Sequence, residues 1–332
     1  MSSILQNEIL SFDKAAAVEK ICEGIRANLR KLRKRGLVVA ISGGIDSSVT
    51  SALCVKAIGK ERVFGLLLPE KDSSSDSITL GETVARHLGI EYRIHDIAPA
   101  LEAIGCYEAR DEAMRQVFPD YRKDWKSKIK IGGGQEGIAN HFSLVVQAPG
   151  GDLQESKMAL PQYLQVVAAT NFKQRVRKMV EYFHADRLNY AVIGTPNRLE
   201  YDQGFFVKGG DGTADIKPIA HLYKSQVYAL ARYLELPEVI CNTIPTTDTY
   251  SLEQGQDEFY FALGYREMDV ALWLFNRQRP ATELARELGI SEQRAEFVYK
   301  DIENKRRTTG PLHWSALVVE PVVGPHNVPP TP

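Results

Sequence analysis

The sequence predicts an α/β fold, a doubly wound, mostly parallel sheet flanked by helices. Three observations predict it. Apolar and amphipathic runs alternate from residue 37 to 98 as strand, helix, strand, helix, strand, which requires right-handed crossovers onto one sheet. The first run, "LVVAI" (37–41), is apolar throughout, as in a parallel strand covered on both faces. It runs straight into "SGGIDSS", a glycine turn that opens a helix.

The elements follow in order. Ser11 or Asp13 caps a helix running to about Arg35, where Gly36 stops it. Its apolar positions Ala17, Val18, Ile21, Ile25 and Leu29 recur at three- and four-residue intervals, so one face packs and the basic face is solvated. After "LVVAI" come a helix from about Ile45 to Ala57 and a second strand, "RVFGLLLP". The serine-rich loop "KDSSSDS", a helix "ITLGETVARHL" ended by Gly89, and a third strand "IEYRIHDI" complete this part. The pattern is then interrupted. Residues 106–165 hold a charged helical stretch "ARDEAMRQVF", the segment "KSKIKIGGGQEG" and a candidate strand in "FSLVVQAPGG". Periodicity returns with a helix from about Val166 to Phe183, a strand "YAVIGT" (190–195) and a helix "SQVYALARYLEL" after Lys224. Two tandem helices follow, "ATELARELG" and "SEQRAEFVYKDIENKRR". The expected organisation is one domain over 1–320 with a long insertion at about 106–165, and an irregular proline-rich tail at 321–332.

Bulk properties exclude several classes. The chain has 332 residues, 44% hydrophobic and 25% charged, ordinary values for a soluble globular protein. With 41 Lys and Arg against 42 Asp and Glu, the net charge of -1 supplies no field to gather nucleic acid or an anionic membrane. Cys22, Cys54, Cys106 and Cys241 lie far apart without a C-x-x-C pair, against a zinc ribbon or redox dithiol and for reduced, buried thiols. No export signal and no apolar run of membrane-spanning length is visible, so the expected location is cytoplasmic.

The chemistry starts at the glycine turn. Gly43 and Gly44 let the backbone curl close to an anion, and the first amides of the following helix point at it. Ser42, Ser47 and Ser48 add hydroxyls. The same letters also suit an ordinary strand-to-helix turn with a serine cap. The phosphate-binding pattern G-x-x-x-x-G-K-[ST] is excluded because the turn has no lysine, and G-x-G-x-x-G is absent from it. Asp46 discriminates further. An acid beside a phosphate is repulsive unless a divalent cation lies between them, so Asp46 predicts Mg²⁺ bridging to a polyphosphate. A cradle without lysine for the terminal phosphate suits a departing pyrophosphate, hence cleavage at the α-phosphate.

"SGGIDSS" after an apolar strand resembles the PP-loop of the ATP pyrophosphatase superfamily, with its adenine nucleotide alpha hydrolase-like fold. Residues 171–262 resemble the NAD synthetase family in particular. Asn171, Lys173, Arg175 and Arg177 match its N-x-K-x-R-x-R helix, and Gly194, Thr195, Asn197 and Glu200 its G-T-x-N-x-x-E. "QGFFVKGGDG", Asp215, Pro218, Lys224, Pro245, Thr246 and "QGQDEFYFALGYREMD" continue the match. The resemblance implies an ammonia-dependent enzyme that adenylates the carboxylate of deamido-NAD, releases pyrophosphate, and lets ammonia displace AMP. It implies Mg²⁺ on Asp46, Glu200 and Thr246, and ATP on Ser42, Gly43, Gly44, Asp46, Ser47, Ser48, Thr195, Lys224 and Thr246. Deamido-NAD falls to Asn171, Arg175, Phe205, Lys208, Asp211 and Asp215. Catalysis falls to Asp46, Lys224 and Asp211, the last receiving the proton of ammonium. The family also implies a homodimer, with the helix at 171–183 at the interface.

Departures are present. Pro196, Leu199, Val207 and Thr213 replace residues common in the family's motifs, and Leu67 stands where many members place arginine. Residues 106–165 are longer than the family's corresponding stretch, as a surface insertion, a lid, or a pocket for a different acid. An amide ligase acting on another carboxylic acid is therefore the alternative function, and a non-catalytic nucleotide sensor a third. About 35 residues precede the first strand, too few for a fused amidase domain, so free ammonia or a separate glutaminase subunit is the expected donor.

Overall fold

The computed structural model describes residues 11–73, 75–132, 141–243, 250–252, 255, 260–261 and 263–320. Helix α1 (Lys14–Lys31) starts at Asp13, whose side chain accepts from the Ala16 amide at 3.0 Å. It buries Val18, Ile21, Cys22, Ile25 and Leu29, the predicted stripe. It ends before the expected Arg35, because Arg33 takes a left-handed φ of 54°.

Strands β1 (Leu37–Ala40), β2 (Val63–Leu67), β3 (Glu91–Ile94) and β7 (Ala191–Ile193) form a parallel sheet in the order β3-β2-β1-β7. Leu37 pairs with Val63 on one side and Ala191 on the other. Side chains alternate across β1. Leu37 and Val39 join one core with α1, α2 (Ile45–Ile58) and α8 (Lys224–Tyr233), while Val38 enters the opposite core. That opposite core is completed by Leu101 of α4 (Ala98–Ala103), Cys106 and Tyr107 of α5 (Cys106–Arg115), and Val176 and Val180 of α6 (Leu160–Leu188). Two covered faces explain why "LVVA" shows no polar alternation. Each fully buried Val or Leu contributes roughly 1.5–3 kcal/mol of transfer free energy.

From β1 the chain winds outward through α2 to β2, and through α3 (Ser75–Leu88) to β3. It returns to the far side of β1 only at β7, making the C-terminal crest between β1 and β7 a topological switch point, where such sheets open a crevice.

The interrupting segment folds into α5 and an antiparallel meander of β4 (Lys126–Gly132), β5 (His141–Gln147) and β6 (Leu153–Lys157). Its signal is present in "KSKIKI": lysines alternate with Ser127 and Ile129, which are buried. Ile129, Leu144 and Val146 pack with Ala113 and Met114 of α5, Val166 of α6, and Tyr250. The glycine-rich stretch 133–137 and the tail 321–332 lie outside the described residues. Helix α6 extends beyond the predicted 166–183 at both ends, because Pro161 suits a first turn and Asn189 closes the helix in a left-handed conformation. A helix the sequence did not suggest, α10 (Tyr265–Asn276), joins α7 (Arg198–Gln203), α11 (Ala281–Leu288) and α12 (Glu292–Thr309) around a third core. All four cysteines are buried and free. No helix among the described residues is long and apolar enough to cross a membrane.

Candidate active site

The turn after β1 is built for close approach. Gly43 has a φ of 80°, and a Cβ there would lie 2.5 Å from the Leu80 Cβ of α3. Both conformation and space demand glycine. Gly44 starts α2 without a side-chain cap, leaving the first amides of that helix to an anion. The serine hydroxyls close the turn on itself: Ser47 Oγ and Ser48 Oγ donate to Gly44 O at 3.0 and 2.8 Å, and the Gly44 amide donates to Ser42 Oγ at 3.3 Å.

Across the switch point, the turn after β7 delivers Thr195 and Asn197. Asn197 is fully buried and caps α7, accepting from the amides of Leu199 at 2.9 Å and Glu200 at 3.2 Å. Its own amide N–H donates to Glu200 Oε2 at 3.1 Å, completing a reciprocal cap. Its side-chain Nδ2 donates to Asp46 Oδ1 at 3.1 Å. Asn197 thus gathers Asp46 from the first turn and Glu200 from α7, 154 residues apart in sequence, at the mouth of one crevice.

Lys224, at the start of α8, completes the group. Its ammonium pairs with Asp46 Oδ2 while its side chain is 2% exposed. Burial opposes that charge, but Asp46 and Glu200 outweigh it and hold the ammonium above its ordinary range. Asp269 of α10 anchors this corner from behind, accepting the amides of Lys224 at 3.1 Å and Ser225 at 2.7 Å. Desolvation pushes the Asp269 carboxyl up to about 7.

The donor set suits Mg²⁺. Asp46 and Glu200 offer carboxylate oxygens, and no third His, Cys, Asp or Glu gathers with them among the described residues. Mg²⁺ takes one or two carboxylates and fills its remaining positions with phosphate oxygens and water.

The NAD synthase family profile matches residues 17–130 and 139–309. The chain belongs to the NAD synthase family. It is 53% identical over 320 residues to the NH(3)-dependent NAD(+) synthetase of Rhizobium meliloti (strain 1021), covering 96% of each chain. It is 38% identical over 252 residues to that of Thermotoga maritima, covering 76% of this chain and 84% of the relative. Among solved structures, the NMN synthetase from Francisella tularensis superposes with a TM-score of 0.65 at 23% identity, over 93% of this chain and 99% of that one. The NH3-dependent NAD synthetase from Campylobacter jejuni, in complex with the nitrate ion, gives 0.62 at 22%, over 93% and 100%. At these identities the two structures speak for the fold alone.

Of the remaining residues expected at the site, Arg175, Lys208, Asp211 and Asp215 lie where the chain after α7 meets α6. Arg175 Nε donates to Lys208 O at 3.3 Å. Asp211 accepts the Val207 amide at 2.8 Å, and desolvation pushes its carboxyl above the ordinary range. Asp215 accepts from the Val192 amide at 2.7 Å and from Tyr182 OH at 3.3 Å. Asn171 lies one turn before Arg175 on α6, and Lys208 Nζ reaches Pro311 O at 3.2 Å. Phe205 faces elsewhere, against the rings of Tyr260 and Phe261 in the C-terminal helical core, with centroids 4.7 and 5.5 Å away. Thr246 lies outside the described residues.

Two anchoring residues carried no assigned role in the sequence. For Asn197 the signal that could have found it is N-x-x-E, the spacing of a reciprocal cap. Asp269 is the closing letter of "GYREMD", a signal that marks a position without giving its partner.

Proposed function

We propose that this enzyme makes NAD from deamido-NAD and ammonia, cleaving ATP to AMP and pyrophosphate through an adenylated carboxylate. The observation that carries this reading is the gathering of Asp46 and Glu200 by Asn197, with Lys224 paired to Asp46, beside the uncapped start of α2. A carboxylate oxygen of the substrate attacks the α-phosphorus, and the bond to the β-phosphate oxygen breaks. The amides that open α2 receive the departing pyrophosphate, with the hydroxyls of Ser42, Ser47 and Ser48 exchanging the turn's own acceptors for phosphate oxygens. Thr195 stands at the same crest, and Thr246 is assigned to the ATP and metal site from its motif resemblance alone. Lys224 offsets the repulsion between the two reacting anions. Asp46, Glu200 and Thr246 would hold Mg²⁺, which supplies charge neutralisation to the phosphates when bound.

The nitrogen lone pair of ammonia then attacks the acyl carbon, and the C–N bond forms. The bond from that carbon to the phosphate oxygen breaks so that AMP leaves with its electron pair, and the new amide nitrogen gives up one proton to solvent. Only neutral ammonia can do this. Asp211, its carboxyl raised by burial, is suited to take the proton from ammonium. Asn171, Arg175, Lys208 and Asp215 supply polar contacts for the dinucleotide, and Phe205 would supply its ring face after turning from Tyr260. The names of the 53% and 38% identical relatives support free ammonia as the donor over a glutaminase subunit.

A homodimer is part of this proposal. Leu160, Leu164, Phe172, Met179 and Phe183 form an exposed apolar stripe along α6, suited to a second copy. Met179→Glu should convert a dimer to monomer in sedimentation. Sedimentation of the unaltered protein as a monomer at micromolar concentration would refute it.

The decisive assay supplies ATP, ammonium and deamido-NAD to the purified protein. AMP, pyrophosphate and NAD should appear in equal amounts. Release of ADP would end the proposal, and pyrophosphate release that ignores deamido-NAD but responds to another acid would reassign the substrate.

A further inference from the structure

Where β2 ends, the chain forms a loop, Leu68–Ser73, on the same crest as the Ser42–Gly44 turn, since Ala40 pairs with Leu66. Its backbone is held at several points. Leu68 O accepts from Arg177 Nε at 3.2 Å, and Pro69 O accepts from the Ile97 amide at 3.0 Å. The Glu70 amide donates to Ser73 Oγ at 3.2 Å, and the Lys71 amide donates to Tyr107 OH at 3.3 Å.

The loop's acids, Glu70 buried and Asp72 largely so, sit in a charge network. Lys173 of α6 is 2% exposed, and its ammonium lies 3.0 Å from Glu70 Oε1 and 2.6 Å from Asp72 Oδ2. Arg110 of α5 pairs with the same Asp72 oxygen and turns its Nε to Asp111 Oδ1 at 2.9 Å. Glu70 Oε2 accepts from Tyr107 OH at 2.9 Å. Burial would raise the Asp72 carboxyl, but Lys173 and Arg110 hold it below its ordinary range. Apolar side chains would fasten a loop without the cost of desolvating five charges, but they lack direction. Hydrogen-bonded charges fix orientation.

The helix motif explains how two loops are served at once. Residues two apart on a helix point about 200° apart at 3.6 residues per turn. Arg175 therefore faces the 207–211 loop while Lys173 and Arg177 face the 68–73 loop. Arg110 has its own foundation, because Ala113 and Met114 on the next turn of α5 are fully buried against Ile129, Leu144 and Val146 of the meander.

We propose that Lys173 and Arg110 are positioning residues that, through Asp72, fix the 68–73 loop as the nucleotide-facing wall beside the Ser42–Gly44 turn. The segment that interrupts the α/β pattern is the buttress for that wall. This rests on the site assignment made above for ATP.

The test measures ATP binding by calorimetry and steady-state constants for Lys173→Met, Arg110→Met and Arg110→Lys. The KM and Kd for ATP should rise about tenfold or more in the two Met variants, with kcat and the KM for deamido-NAD within about twofold. Arg110→Lys should recover most of the loss, because a charge of similar reach remains. If Lys173→Met does not fold, the Arg110 pair decides. ATP constants unchanged in folded variants would overturn the inference, as would losses that follow melting temperature across all substrates. If the unaltered protein binds ATP but does not consume deamido-NAD, the functional assignment fails while the calorimetry still judges the loop.

Discussion

Asn197 reaches across the crevice to Asp46, its Nδ2 donating to Oδ1 at 3.1 Å, while its backbone amide holds Glu200 Oε2. One buried asparagine, by its side chain and its backbone amide, therefore sets the separation of two acids contributed by the first turns of α2 and α7. Replacing Asn197 by Ser keeps a cap for α7 but removes the reach to Asp46. Turnover should fall about a hundredfold, the scale of a misplacement near one ångström. The melting temperature should stay close to that of the unaltered protein. Asn197→Ala should lose the same activity and also about 1 kcal/mol of stability for the missing cap. Steady-state NAD formation with parallel thermal melts separates the two effects.

Lys224→Met removes the cation that faces Asp46 while keeping much of the buried stem. A drop of about 10² to 10³ in kcat is expected, the scale of losing one preorganised electrostatic contact to developing charge. Lys224→Arg should not restore it, because a 2% exposed side chain leaves no room for a planar guanidinium. Single-turnover AMP release is the measurement.

Gly43→Ala should destabilise the protein by about 1–3 kcal/mol through overpacking against Leu80, with left-handed strain added to it. A second change, Leu80→Gly, removes the Cβ that lies 2.5 Å from the new one, at about 1 kcal/mol of helix propensity in α3. The double variant should be more stable than the sum of the single losses, since the two sites share one contact. Equilibrium urea unfolding of the four proteins completes the cycle.

Asp269 links stability to pH. Its carboxyl, desolvated and raised to about 7, takes up a proton more readily in the folded chain than in the unfolded one. Between about pH 4 and 7 the folded state therefore binds more protons, and this group's contribution to stability declines as pH rises through that window, then levels off. Asp269→Asn should flatten the decline between pH 5 and 7 in denaturant midpoints. An unchanged slope would mean that Asp269 does not carry it.

Much of the fold could be read from local chemistry. The all-apolar "LVVA", the glycines after it and the stripe of α1 each reflect one element's surroundings, so period and punctuation revealed them. The meander was harder, because alternation in "KSKIKI" marks a half-covered strand without naming its partner. Helix α10 was missed since its neighbours in space, Leu199 and Tyr228, are distant in sequence. The motif letters singled out Asp46, Glu200 and Lys224, and Lys173 as well, but the net that joins Lys173 through Asp72 to Arg110 left no sign in spacing. A lysine on a helix usually reads as a solvated face.

Adjacent residues suffice to specify the strand–turn–helix with its lysine-free glycine bend, because backbone freedom and hydrophobic period are local properties. Which acids meet is settled by long-range packing. Asp46 and Glu200 become neighbours through the return of the chain to β7 beside β1, and Lys173 finds Asp72 through the packing of α6 across the sheet. Burial and charge pairing depend on what surrounds a residue in space, and that is fixed only when distant segments close on one another.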